Sequence, residues 1–91
     1  MARINLIEQA LSSLDPLELR IRDDSQKHAG HAGAADGRGH FAVTLVSKQF
    51  EGLSLLQRHK LVYQALAGLL DSDIHAIAIQ AKTPFEAAQS R

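Results

Sequence analysis

Apolar residues fall along this chain with two different periods. Ile4, Ile7, Leu11 and Leu14 recur every three or four positions, with Asn5, Glu8 and Ser12 between them, which predicts an amphipathic helix over residues 3–14. Asp15-Pro16 ends it, because proline pushes the preceding residue out of the helical region. The period then becomes two. Leu17, Leu19 and Ile21 alternate with Glu18, Arg20 and Arg22, the pattern of a strand with one buried face. Residues 40–47 repeat it, with Phe41, Val43 and Leu45 on one side and His40, Ala42, Thr44 and Val46 on the other; two such neighbours predict an antiparallel pair.

Ser54-Leu55-Leu56-Gln57 has the form of a capping box, and Leu55, Leu56, Val62, Tyr63, Leu66, Leu69 and Leu70 give the helix that follows a wide apolar stripe through residue 70. Asp71-Ser72-Asp73 supplies turn chemistry, and the β-branched run over 74–80 predicts a third strand. A strand–helix–strand unit normally closes right-handed, so this strand is expected parallel to the second. Thr83-Pro84-Phe85-Glu86 combines an N-cap, a proline at the first helical position and a glutamate at the third, and starts a short last helix. The prediction is one α/β domain of the α+β kind over residues 1–91, in the order αββαβ, with a three-stranded mixed sheet, helices on one face, a long connection over 25–39 and a tail from 87.

Ninety-one residues bury one core. Ten basic residues balance ten acidic ones, so the chain as a whole is not a cationic nucleic-acid binder, and any basic function is local. No cysteine is present, which removes disulfides, thiol nucleophiles and self-contained thiolate metal sites and is compatible with a reducing cytosol. The amino terminus lacks the apolar run of a secretory signal, and no segment has the ~20 apolar residues of a membrane span, so the expectation is a soluble cytoplasmic domain.

The candidate chemistry is histidine chemistry. The connection "QKHAGHAGAADGRGH" carries His28, His31 and His40 among glycines and alanines, and connections of this length are functional or disordered. His28 and His31 are three apart, with Gly30 and Gly33 beside them, so both rings can turn toward one ligand, although an HxxH pair alone is a weak metal signature. His40 reads as a structural or surface residue that orders the exit of the loop, and His59 as a hydrogen-bonded core or boundary residue of the helix. His75 opens the third strand. Ser47 and Ser54 have no obvious base held by a carboxylate, and Asp23-Asp24 and Asp71/Asp73 lie at strand or turn ends, so no enzyme is expected. Arg58-His59-Lys60, with Arg20, Arg22 and Lys48, forms at most a local basic patch, without stacking aromatics on the sheet.

The blocks "FEGLSLLQRHKLVYQAL" and "IHAIAIQAKTPFE", in this order and spacing, resemble the BolA family, and the resemblance runs from the first helix to Glu86. It implies a KH-like domain of the order just described. It also implies a role rather than a reaction: BolA-like proteins pair with monothiol glutaredoxins and share a bridging [2Fe-2S] cluster, in iron–sulfur cluster trafficking or iron-linked regulation. Carried over by residue, the strand histidine of the family falls on His75, and the loop ligand on His28 or His31. The helix here reads Arg58-His59-Lys60 where Arg-His-Arg is usual. The missing cysteine fits this picture, since a partner would then supply the thiolates, as one glutaredoxin cysteine and one glutathione. Some members are linked to DNA binding, which makes a transcriptional regulator reading DNA through Arg58 and Lys60 the alternative. A zinc or heme module using the same histidines is a third expectation, and pairing of the chain with itself stays open.

Overall fold

The computed structural model describes residues 2–24, 39–70 and 72–89, with His75 fixed by its backbone. The first helix, α1, covers Ala2–Leu11 and tightens into a 3-10 turn over Ser12–Leu14. Asp15 then takes a left-handed conformation, φ 54°, a region that short polar residues tolerate, and the chain reverses into β1, Glu18–Asp23. The second strand, β2, runs Gly39–Val46, and after a 3-10 turn at Lys48–Phe50 helix α2 spans Leu55–Ala65. The expected single helix through residue 70 is interrupted. Leu66, at φ −95° and ψ 4°, separates α2 from the short α3, Ala67–Leu70, in which Gly68 weakens helical continuity. Strand β3 covers Ile74–Lys82 and helix α4 Pro84–Gln89.

The sheet order is β1-β2-β3, with β1 antiparallel to β2, as two neighbouring strands predict, and β3 parallel to it, as the right-handed crossover predicts. Leu19, Ile21, Phe41, Val43, Leu45, Ile77, Ile79 and Ala81 share one face, and Ile7 and Leu11 of α1 and Val62 and Leu66 of the α2 region pack on it. Phe50, fully buried, closes this layer, and each such side chain stabilises the fold by roughly 1.5–3 kcal/mol. Ser47 is buried too and is satisfied there: its Oγ donates to the Leu14 carbonyl at 2.7 Å and accepts from Gln49 N, while its N–H donates to the Lys82 carbonyl.

The opposite face carries Arg20, Arg22, Ala42, Thr44, Ala76, Ala78 and Gln80, and helices α1–α3 leave it open. Only its far end is covered, where buried Ala87 of α4 and Val46 line one small cavity. Both capping boxes form. The Ser54 hydroxyl accepts from Gln57 N at 3.2 Å while the Gln57 side chain accepts from Ser54 N, and Thr83 and Glu86 do the same at α4.

The apolar stripe of α2 differs from the expectation. Leu55 and Leu56 are each 66% exposed and Tyr63 is largely exposed, while the buried line is Arg58, Val62 and Leu66, four apart. Leu17, expected on the buried face of the first strand, lies before β1 and is exposed.

Candidate functional site

Three chain ends converge at one end of the sheet: the last residues of β1 and the first residues of β2 and β3. Hydrogen bonds hold them together. Asp24 N donates to the His40 carbonyl at 2.7 Å, Gly39 N donates to the Asp73 carbonyl at 2.9 Å, and the Arg22 guanidinium forks onto Asp24 at 2.8 and 3.1 Å. That carboxylate holds the Arg22 guanidinium above its ordinary pKa, first by the hydrogen bond and then by its charge. Arg3 of α1 reaches Asp73 at 3.5 Å.

At this end the β2–β3 register slips. Gly39 is opposite Ile74 but His40 is opposite Ala76, so His75 is an extra residue on β3 with no partner on β2. The slip reverses which residues bond to β2: Asp73 does so before it, through its carbonyl to Gly39 N, and Lys82 does so after it, through its carbonyl to Ser47 N. Bulges of this kind re-aim a residue and recur beside functional sites. The alternation of the sequence carried the signal: Ile74 and Ile77 both pack in the core, yet they are three apart rather than two.

Beside the bulge is a hollow of about 280 Å³ lined by Asp24, His40, Phe41, Ala76, Ile77 and Ala78. Ala76 and Ala78 keep its floor low. His40 is half-buried there, and its carbonyl accepts from Asp24 N; the long connection whose exit it is expected to order lies outside the described residues. His28 and His31 lie outside the described residues. Among the described residues, no three side chains of His, Asp or Glu gather into a metal site.

The other expected site residues do not come together. Arg58, 7% exposed, turns inward: its Nε donates to the Leu53 carbonyl at 3.0 Å, its Nη1 to the Ala81 carbonyl at 3.1 Å, and its guanidinium forks onto Glu86 at 2.6 and 3.2 Å. The hydrogen bond from Arg58, followed by that from Thr83 N, pulls the Glu86 carboxyl down to about 2. Lys60 is exposed and lines a separate groove with Leu53, Gln57, Leu61 and Gln64. Arg58 therefore joins α2, β3 and α4 and is not available to a phosphate. Its place four residues before Val62 and eight before Leu66 was the signal for burial.

A family model described as BolA-like protein matches residues 7–86. The chain belongs to the BolA-like family. Among members, it is 49% identical over 82 residues to "Protein BOLA1, chloroplastic" of Arabidopsis thaliana, covering 87% of this chain and 51% of that protein. It is 35% identical over 83 residues to "DNA-binding transcriptional regulator BolA" of Escherichia coli, covering 91% of this chain and 76% of that one. The BolA domain of SufE1 from Arabidopsis thaliana superposes with a TM-score of 0.82 at 43% identity, covering 94% of this chain and 96% of that domain. The chain spans about half the length of the first of these relatives. Because BolA-like relatives include a chloroplastic protein, membership alone does not carry the expected cytoplasmic location; no helix among the described residues is long and apolar enough to cross a membrane.

Proposed function

We propose that this BolA-like chain is a non-enzymatic adaptor that pairs with a monothiol glutaredoxin and shares a bridging [2Fe-2S] cluster with it. His75 and one of His28 and His31 serve as its ligands. The observation that carries this reading is the extra residue His75, at the sheet end where the chain leaves β1 at Asp24 and re-enters β2 at Gly39. His28 is four residues beyond Asp24, so it stays within about 14 Å of that end whatever path the chain takes. His31, seven residues on, is held within about 25 Å.

The donor set fits half of such a group. The chain holds no thiol, and a [2Fe-2S] cluster takes four ligands, so imidazoles from this side leave the remaining positions to a thiolate-bearing partner. When bound, a cluster ligated in part by histidine has a higher reduction potential than one held by four thiolates. What the chain itself contributes is a backbone frame: the bonds from Asp24 N to the His40 carbonyl and from Gly39 N to the Asp73 carbonyl tie the ends of β1, β2 and β3 together beside His75.

The test mixes the chain with cluster-loaded monothiol glutaredoxin and follows visible circular dichroism. The expected result is a new spectrum that is lost with His75→Ala and with one of His28→Ala and His31→Ala. An unchanged spectrum on mixing, or the same change with His75→Ala, overturns the reading.

A second reading, DNA binding, is favoured by the description of the Escherichia coli relative. Here it would have to use Lys60 without Arg58. It expects binding that falls steeply with salt, weakens with Lys60→Ala and ignores His75→Ala.

A further inference from the structure

The sheet has two edges, and they are built differently. In β1 four of the six residues are charged, Glu18, Arg20, Arg22 and Asp23, which is how natural proteins keep an edge from pairing with another chain. In β3 no residue before Lys82 is charged: the edge reads Ile74-His75-Ala76-Ile77-Ala78-Ile79-Gln80-Ala81. An uncharged edge of this length invites pairing unless something covers it.

Backbone parity shows which groups it offers. The Lys82 carbonyl is bonded to β2, through Ser47 N, while the Ala81 carbonyl faces outward and takes Arg58 Nη1. Past the bulge the direction alternates, so the N–H and C=O of Ile77 and Ile79 are turned outward with those of Ala81. Beside them runs a groove of about 420 Å³ lined by Leu55, Arg58 and His59 of α2, Ile79, Ala81 and, at its end, Lys82 of β3, and Glu86 of α4. Its apolar wall is Leu55, 66% exposed. Its one strong charge pair, Arg58–Glu86, is spent internally and closes the groove at Ala81.

We infer that this edge is a docking strip on which the partner adds an extended, uncharged segment as a fourth strand, with an apolar side chain over Leu55 and Ile79. The inference rests on the glutaredoxin reading above and names how that partner is held. Alternating backbone groups and an apolar groove select an extended polypeptide. A nucleic acid would need a row of cations along the strip; residues 74–81 carry none, Lys82 adds one at its end and Arg58 is held by Glu86. A second copy of this chain fits less well: antiparallel pairing about Ile79 sets Ile77 N–H against the Ala81 carbonyl, where the Arg58 guanidinium already stands and must be crowded or displaced. A strand added at Ile77 and Ile79 ends two residues from His75, so the contact that gives affinity leads directly to the ligand.

Amide hydrogen exchange of the isotope-labelled chain, alone and with apo or cluster-loaded monothiol glutaredoxin, tests this. The amides of Ile77 and Ile79 are expected to exchange freely in the chain alone and to slow on the order of tenfold or more in the complex. Ile79→Pro removes an outward N–H without touching the β2 ladder and is expected to weaken the complex about tenfold. A complex whose cluster spectrum responds to His75→Ala, but in which these amides exchange as in the free chain, overturns the docking strip and leaves the cluster reading standing. Absence of any complex overturns both. Protection that appears in the chain alone and grows with its concentration assigns the edge to self-pairing and overturns the proposal.

Discussion

Replacing Arg58 with methionine keeps a long apolar stem in place and removes the guanidinium, which separates what the charge does for the fold from what the stem does. The structure loses the donation to the Leu53 carbonyl at 3.0 Å, the donation to the Ala81 carbonyl at 3.1 Å and the fork onto Glu86. A hydrogen bond from a charged donor is worth about 1.5–3 kcal/mol, and two of them, to the Leu53 and Ala81 carbonyls, are lost. Glu86 keeps 45% of its side chain in solvent and rehydrates, so the ion pair itself adds little. The loss is therefore expected at the lower limit for two such bonds, about 3 kcal/mol. For a domain of this size that lowers Tm by roughly 12–24 °C. Urea denaturation at constant m-value measures it directly. Arg58→Lys restores the charge without the fork and is expected to recover less than half of the loss. A loss for Arg58→Met below about 1 kcal/mol, the level of an exposed ion pair, refutes the role assigned to this residue.

Acid should weaken the same contact. The Glu86 carboxyl is lowered to about 2 from 4.5, so its stabilisation is complete above 4.5 and is lost as pH falls from there through about 2; Glu86→Gln is expected to flatten that part of the stability–pH curve, and an acid limb coincident with wild type counts against it. Ser54→Ala removes one half of the capping box of α2 and is expected to cost about 1 kcal/mol in urea denaturation. Phe50→Ala opens a cavity under the sheet and is expected to cost about 3–5 kcal/mol by the same assay. Lys60→Ala, on an exposed position, is expected to leave stability within about 0.5 kcal/mol of wild type, which separates it from Arg58 two residues away.

The sequence was informative where one local rule acted alone. Alternation at Phe41, Val43 and Leu45 marked the core face of β2, Ser54/Gln57 and Thr83/Glu86 marked two helix starts, and the handedness of the crossover set β3 parallel to β2. It misled where two rules competed. Leu55 and Leu56 outweigh Arg58 on any hydrophobicity scale, yet α2 is rotated so that Arg58 faces in, because three acceptors from Leu53, Ala81 and Glu86 meet there, and two of them come from residues more than twenty positions away. No local pattern records such a meeting. The site was half legible: the blocks around His75 pointed to the family, while the register slip that makes His75 an extra residue needs β2 alongside to be seen.

That slip has a consequence for how the chain can change over generations. A residue without a partner on the neighbouring strand can be altered, or deleted together with its bulge, while Ile74 stays opposite Gly39 and Ala76 opposite His40. On the ligand role proposed above, chemistry and strand register are thereby separable at this position, since His75 has no register partner on β2. A lineage that lost its need for a ligand could discard the histidine and keep the register of β2 and β3 on both sides of it.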